Sequence, residues 1–64
     1  SPELALEYCD NIFLMKAGTI LTSINTHTDS IDIINEKLSL IYDNINVIEC
    51  TDIHHKTHRV VVAL

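Results

Sequence analysis

The chain has 64 residues, of which 47% are hydrophobic, and its formal net charge is −5, from nine Asp and Glu against four Lys and Arg. A chain of this length forms at most one small domain, and its apolar content is too high for a disordered segment. The acidic balance argues against nucleic-acid binding and against docking on an anionic membrane surface, because both depend on Lys and Arg. No apolar run approaches the roughly 20 residues of a membrane-spanning helix.

The first predicted element is a short helix. Ser1 suits the N-cap, Pro2 the first helical position and Glu3 the first turn. The helix is predicted to end at Asp10-Asn11, because both are poor residues for a helix interior. A second interpretation, suggested by the absence of an initiator Met, takes residues 1–3 as a cloning remnant joined to a natural segment.

A β-hairpin is predicted next. Residues 12–15 form a continuous apolar run closed by Lys16, which indicates a strand buried on both faces. Ala17-Gly18 predicts a tight turn in which Gly supplies a positive φ. Residues 19–24 are rich in β-branched side chains and predict the returning strand.

A second helix is predicted after the polar residues 25–30. An apolar stripe at helical spacing supports it and consists of Ile31, Ile34, Leu38 and Ile41. Ile33 and Leu40 lie off this stripe. The helix therefore either buries a wide face or breaks at Asn35-Glu36, with Asn35 capping a further helix through Tyr42.

Residues 45–50 and 59–64 predict two more strands, joined by a loop over residues 51–58. The predicted order is α-β-β-α-β-β. The sequence thus predicts an α+β fold in one small domain over residues 1–64, with short helices packed on two antiparallel hairpins.

The two cysteines are isolated and form no disulfide framework, which favours a reduced, cytosolic setting. Cys9 has no basic neighbour to activate its thiol and is predicted to be a small buried side chain in the first helix.

A Cys-x3-His-His-x2-His cluster comprises Cys50, His54, His55 and His58. Thiolate and imidazole are ligands that zinc favours, but structural zinc sites usually draw ligands from two separate segments. The favoured interpretation is therefore a solvated loop, and no metal ligand is assigned.

Three carboxylates near the second helix, those of Asp29, Asp32 and Glu36, are interpreted in the same way. They suit a solvated helix face and first-turn charges better than acid–base chemistry. No catalytic or cofactor-binding residue is assigned.

Residues 4–21, LALEYCDNIFLMKAGTIL, resemble the segment of ATP-binding cassette (ABC) ATPases that follows their switch histidine. In that family a helix of LALxYxD character leads into an apolar strand, a K-x-G turn and a second strand. The matching residues here are Leu4 to Asp10, Ile12 to Met15, Lys16-Ala17-Gly18 and Thr19-Ile20. The rest of the chain is similar to one branch, the importers of iron chelates, haem and cobalamin, through Leu38 to Tyr42, Ile45-Asn46-Val47 and Val60-Val61-Val62.

The resemblance implies that the chain is the C-terminal subdomain of such an ATP-binding subunit. The phosphate-binding loop of the family, G-x-x-x-x-G-K-[ST], needs two glycines, and this chain has one. ATP and Mg would therefore bind elsewhere in the parent protein, and the chain itself is expected to be no enzyme and to bind no cofactor. The parent would lie on the cytoplasmic face of the cell membrane, bound to permease subunits.

Two further expectations follow. In the parent, residues 12–15 would be sandwiched, so in this chain one face of the strand is predicted to be bare and to drive self-association, as a dimer. The alternative hypothesis is an independent small α+β dimeric module that senses a ligand or a metal.

Overall fold

The computed structural model describes residues 1–64. Its elements are α1 (Pro2–Tyr8), β1 (Asn11–Lys16), β2 (Thr19–Asn25), α2 (Ile31–Leu38), β3 (Ile45–Thr51) and β4 (Thr57–Ala63). The strands form two separate two-stranded antiparallel sheets, β1 with β2 and β3 with β4. The predicted α+β class and element order are confirmed. Neither helix is both long and apolar enough to span a membrane.

The first hairpin turns at Ala17 and Gly18, which have φ angles of 51° and 76°. Both central residues are left-handed, as a type I′ turn requires, and this turn matches the twist of the strands that it joins. The register shifts after Leu14, which pairs with Thr22 while Met15 pairs with Ile20. The extra residue bulges the hairpin near its turn.

Strand β1 is covered on one face only, so the prediction of burial on both faces is wrong for this chain. Leu14 is buried and Ile12 is half-buried, whereas Phe13 and Met15 are exposed. The physical reason is that an isolated two-stranded sheet has core packed against one side alone. The exposed face of β1 that the resemblance predicts for this chain is the face with Phe13 and Met15.

Helix α2 runs without a break from Ile31 to Leu38, so of the two alternatives left open by the sequence, the break at Asn35-Glu36 does not occur. The Oγ of Ser30 accepts a hydrogen bond from the N–H of Ile33 at 3.2 Å and caps the helix. The helix also ends at Leu38, earlier than predicted, and turns rather than a further helix carry the chain to residue 41.

Asn35 serves the second hairpin instead of capping a helix. Its Nδ2 donates to the backbone O of Val47 at 2.9 Å, and its Oδ1 accepts from the N–H of Val47 at 2.7 Å. On the other edge of the hairpin, Val61 pairs with Val47 and donates its N–H to Oε1 of Glu3 at 3.0 Å. Each outer edge of this sheet is therefore occupied by a helical side chain, α2 beside β3 and α1 beside β4, which blunts edge-to-edge pairing at these points.

The core is one small cluster of six apolar side chains: Leu6, Leu14, Ile24, Ile34, Leu38 and Val47. The seventh buried residue is Thr26, whose Oγ1 donates to the carbonyl O of Cys9 at 2.7 Å. With seven of 64 residues buried, the core draws the two hairpins and two helices together but leaves much apolar surface outside it.

Candidate functional site

An apolar groove of about 280 Å³ lies between α1, β1 and the turn after α2. Nine of its eleven lining residues are hydrophobic, and they include Leu6 from the helix, Leu14 from the strand and Ile41 from the turn. No carboxylate, imidazole or thiol lines it. The groove is thus suited to burying apolar surface rather than to acid–base or nucleophilic chemistry.

The outer face of the first hairpin, defined here as Phe13, Met15 and Ile20, adjoins this groove. Phe13 is 64% exposed, and Met15 and Ile20 are cross-strand partners that are both more than half exposed. Phe13 and Met15 also line the groove, so the two surfaces are continuous. A continuous apolar surface of this kind typically marks a contact with another molecule or domain.

The Cys-His cluster of the sequence does not assemble. Cys50 and His58 are cross-strand partners in β3 and β4, but His54 and His55 lie in the exposed loop between these strands. His55 has a φ of 61°, one of two non-glycine residues with a positive φ. No group of three or more His, Cys, Asp or Glu side chains is arranged to hold a metal ion.

His58 instead lies between two carboxylates. Its Nε2 is 2.7 Å from Oδ2 of Asp52, and its Nδ1 is 3.7 Å from Oε1 of Glu7 on α1. The hydrogen bond with Asp52 raises the pKa of His58; partial burial opposes this, and the negative charges of Asp52 and Glu7 add to it. The imidazole therefore holds its proton more tightly than a free histidine does.

Asp52 also organises the loop that carries it. Its Oδ1 accepts hydrogen bonds from the N–H of His54 at 2.7 Å and of Lys56 at 3.0 Å. The hydrogen bond from His58, followed by that from the Lys56 N–H, lowers the pKa of Asp52. The carboxylate of Asp52 therefore forms an Asx turn within the loop and connects the loop to the imidazole of His58 in β4.

The carboxylates near α2 are not gathered into a site. Oδ2 of Asp29 accepts from Nζ of Lys37 at 2.8 Å and from the N–H of Asn25 at 3.0 Å, and these bonds, that of Lys37 first, lower its pKa. Lys37 also donates to the carbonyl O of Ser23 at 2.7 Å. Asp32 lies in the first turn of the helix. The Asp29–Lys37 pair fastens α2 to the loop before it, which is a structural role.

Cys9 is exposed, so its predicted burial is wrong. The helix ends at Tyr8, and Cys9 follows as the C-cap in an extended conformation with a ψ of 144°. Cys50 is exposed as well, and both thiols are free.

The sequence did not predict four charged or hydrogen-bonded side-chain pairs. They are His58 with Asp52, His58 with Glu7, Lys37 with Asp29, and His27 with Asp10, the last with Nε2 and Oδ1 2.6 Å apart. The positions of Asp52 and His58 on either side of a short hairpin loop are a signal that could have indicated the first pair. Glu7 has no such signal, since only the packing of α1 on β4 brings it to the imidazole.

No protein-family model matches this chain, and neither a curated protein nor a solved structure matches it. The resemblance to ABC ATPases therefore stays a prediction that rests on the residues quoted for it.

Proposed function

We propose that this chain is the C-terminal accessory subdomain of the ATP-binding subunit of an ABC importer for iron chelates or similar metal complexes. Its role is structural: it packs on the rest of the ATPase domain, which binds ATP and Mg and performs hydrolysis. In this proposal the assembled subunit lies at the cytoplasmic face of the membrane, in contact with permease subunits.

The observation that carries the proposal is the apolar surface formed by the groove and the outer face of the first hairpin. Twelve large hydrophobic side chains of the chain are exposed, against six in the core, and four of the twelve belong to this surface: Phe13, Met15, Ile20 and Tyr42. A small domain that exposes more large apolar side chains than it buries is expected to cover them with a partner.

The position of this surface supports the same role. It is built largely by α1 and β1, which together span residues 2–16 and largely overlap residues 4–21, the stretch that resembles the ABC ATPases. The resemblance implies that this strand is sandwiched in the parent domain. The exposed side chains Phe13 and Met15 lie where that covering is expected.

The first test is the coding sequence that precedes the Ser1 codon. We expect it to encode a phosphate-binding loop followed by a switch histidine, in frame with this chain. A start codon directly before Ser1 would count against the proposal, and together with a dimer in solution it would favour an independent ligand-sensing module.

The second test is physical association. The preceding ATPase segment, expressed separately, is expected to co-purify with the wild-type chain and with an Ile53→Asp variant, but not with Phe13→Asp. Ile53 is the matched control because it is 89% exposed, yet lies in the loop between β3 and β4, away from the groove. Equal retention of both variants would show that the outer face is not the docking surface.

A further inference from the structure

Helix α1 is fastened to β4 by two carboxylates and one apolar side chain. Glu3 accepts the Val61 N–H at 3.0 Å, Glu7 faces His58 at 3.7 Å, and Leu6 is buried in the core. The same helix contributes Leu6 and two other residues to the wall of the apolar groove. A displacement of α1 from β4 would therefore move one wall of the groove.

The protonation state of His58 determines whether its contact with Glu7 is attractive or repulsive. A protonated imidazole donates from both nitrogens, so Nε2 can serve Asp52 while Nδ1 points a second N–H at Glu7. A neutral imidazole has one N–H, and the short 2.7 Å contact with Asp52 keeps that hydrogen on Nε2. A lone pair on Nδ1 then faces the carboxylate of Glu7, and attraction becomes repulsion.

No other cation forms an ion pair with Glu7 or Asp52 when His58 is neutral. The groups in contact with the imidazole are Glu7 from α1 and Asp52 from the loop, and Cys50 is the cross-strand partner of His58. No Lys or Arg forms an ion pair with Glu7 or Asp52. His58 is thus the one cation in direct contact with either carboxylate.

We propose that His58 is a pH-dependent latch: protonated, it helps to hold α1 against β4 through Glu7, and on deprotonation it weakens this attachment and loosens the wall of the groove. The latch rests on contacts within the chain and is independent of the proposed docking role.

The direction of the pH dependence follows from two pKa shifts. The pKa of His58 is raised above 6.5, so the stabilisation from its proton is fully present below 6.5 and is lost as the pH rises through the raised value. The pKa of Asp52 is lowered below 3.8, so the stabilisation from its charge is present above 3.8 and is lost as the pH falls through the lowered value. The latch is therefore closed below pH 6.5 and opens as the pH rises through the raised pKa of His58.

Amide hydrogen exchange in the full 64-residue chain tests the latch, with the Val61 N–H as the reporter because its acceptor is Glu3 on α1. The Ile34 N–H, which donates to Ser30 inside the N-terminal turn of α2, reports on the rest of the fold. Protection factors, corrected for intrinsic exchange, are compared from about pH 5.5 to about pH 8.5, across the range in which a histidine titrates.

In the wild type, the protection of Val61 is expected to fall about threefold over this range, a size typical of a partly exposed ion pair, while that of Ile34 changes less. Glu7→Gln removes the charge that His58 senses and should abolish the Val61 response. His27→Gln, which removes the other histidine paired with a carboxylate, should retain it.

The proposal is overturned if Val61 responds equally in the wild type and in Glu7→Gln, or if Val61 and Ile34 lose protection together in the wild type. Should Glu7→Gln fail to fold by circular dichroism, His58→Gln takes its place, since it keeps a donor for Asp52 but does not titrate. A Val61 response that persists in His58→Gln is then the contradicting result.

Discussion

At the scale of single residues, the turn of the first hairpin carries backbone strain. Ala17 has a φ of 51°, in the left-handed region, where its Cβ crowds the following carbonyl oxygen. Type I′ turns favour Asn or Gly at this position. The pairing of β1 with β2 thus holds Ala17 in a backbone conformation that is unfavourable for alanine.

Replacing Ala17 with Asn is expected to raise the free energy of unfolding by about 1 kcal/mol, because Asn tolerates the left-handed region better. Urea denaturation measures this. Gly18→Ala should act in the opposite direction, because Gly18 has a φ of 76°, although no atom lies within 4 Å of the added Cβ. A destabilised Ala17→Asn variant would show that the turn is not strained in this way.

A second residue-scale feature is the amide of Asn35, which pairs with both backbone polar groups of Val47. Asn35→Ala leaves that N–H and C=O without partners beside a buried residue, and we expect a loss of about 1–3 kcal/mol in the free energy of unfolding. Asn44→Ala is a matched substitution at an exposed position and should have little effect. Similar losses in the two variants would contradict this role of Asn35.

At the scale of elements, α2 shows why apolar periodicity predicts packing better than apolar content does. Ile33 and Ile34 are adjacent and identical, yet Ile33 is 40% exposed and Ile34 is 0% exposed. One residue turns a helical side chain by about 100°, so only members of the stripe reach the core.

These two isoleucines give a matched pair of variants. Ile34→Ala is expected to lower the free energy of unfolding by about 3 kcal/mol, through lost apolar burial and the cavity that remains. Ile33→Ala should lower it by less than about 1 kcal/mol. Both are measured by urea denaturation at one chain concentration, and equal losses would mean that the stripe does not define the buried face.

At the scale of the whole molecule, more large apolar side chains are exposed than are buried in the core. Seven of 64 residues are buried, and the outer face of the first hairpin remains uncovered. The blunted edges of the second hairpin, by contrast, offer little for strand pairing beside Val47 and Val61. Self-association is therefore expected through side chains of the first hairpin rather than through the second sheet.

Light scattering over a range of chain concentrations tests this prediction. The wild type is expected to form dimers, Phe13→Asp to shift the equilibrium toward monomer by at least about tenfold in the dissociation constant, and Ile53→Asp to behave as the wild type. Added salt should strengthen the dimer, because it screens the repulsion between copies of net charge −5. A wild-type chain that stays monomeric at high concentration would contradict it.

Most of the element order could be predicted because its signals are local. The short apolar runs, Ala17-Gly18 and the stripe from Ile31 to Leu38 each act over a few neighbouring residues, and the structure bears out the elements that they indicate. The errors concern the covered faces of β1, the end of α2 and the burial of Cys9, and the pairing of Asn35 with β3 was not predicted. The backbone partners of the Asn35 side chain lie on β3, and the exposure of Cys9 depends on where α1 ends and on the direction in which the chain continues.

Local sequence patterns were enough to predict the α+β class, the two hairpins and the acidic, apolar character of the chain, because periodicity, turn residues and charge are properties of short segments. The tertiary structure alone decided which apolar side chains stay bare, that Asn35 and Glu3 cover the edges of the second hairpin, and that His58 lies between Glu7 and Asp52 rather than among metal ligands. The physical reason is that these contacts join residues distant in the chain, and only the packing of helices on hairpins brings them within hydrogen-bonding range.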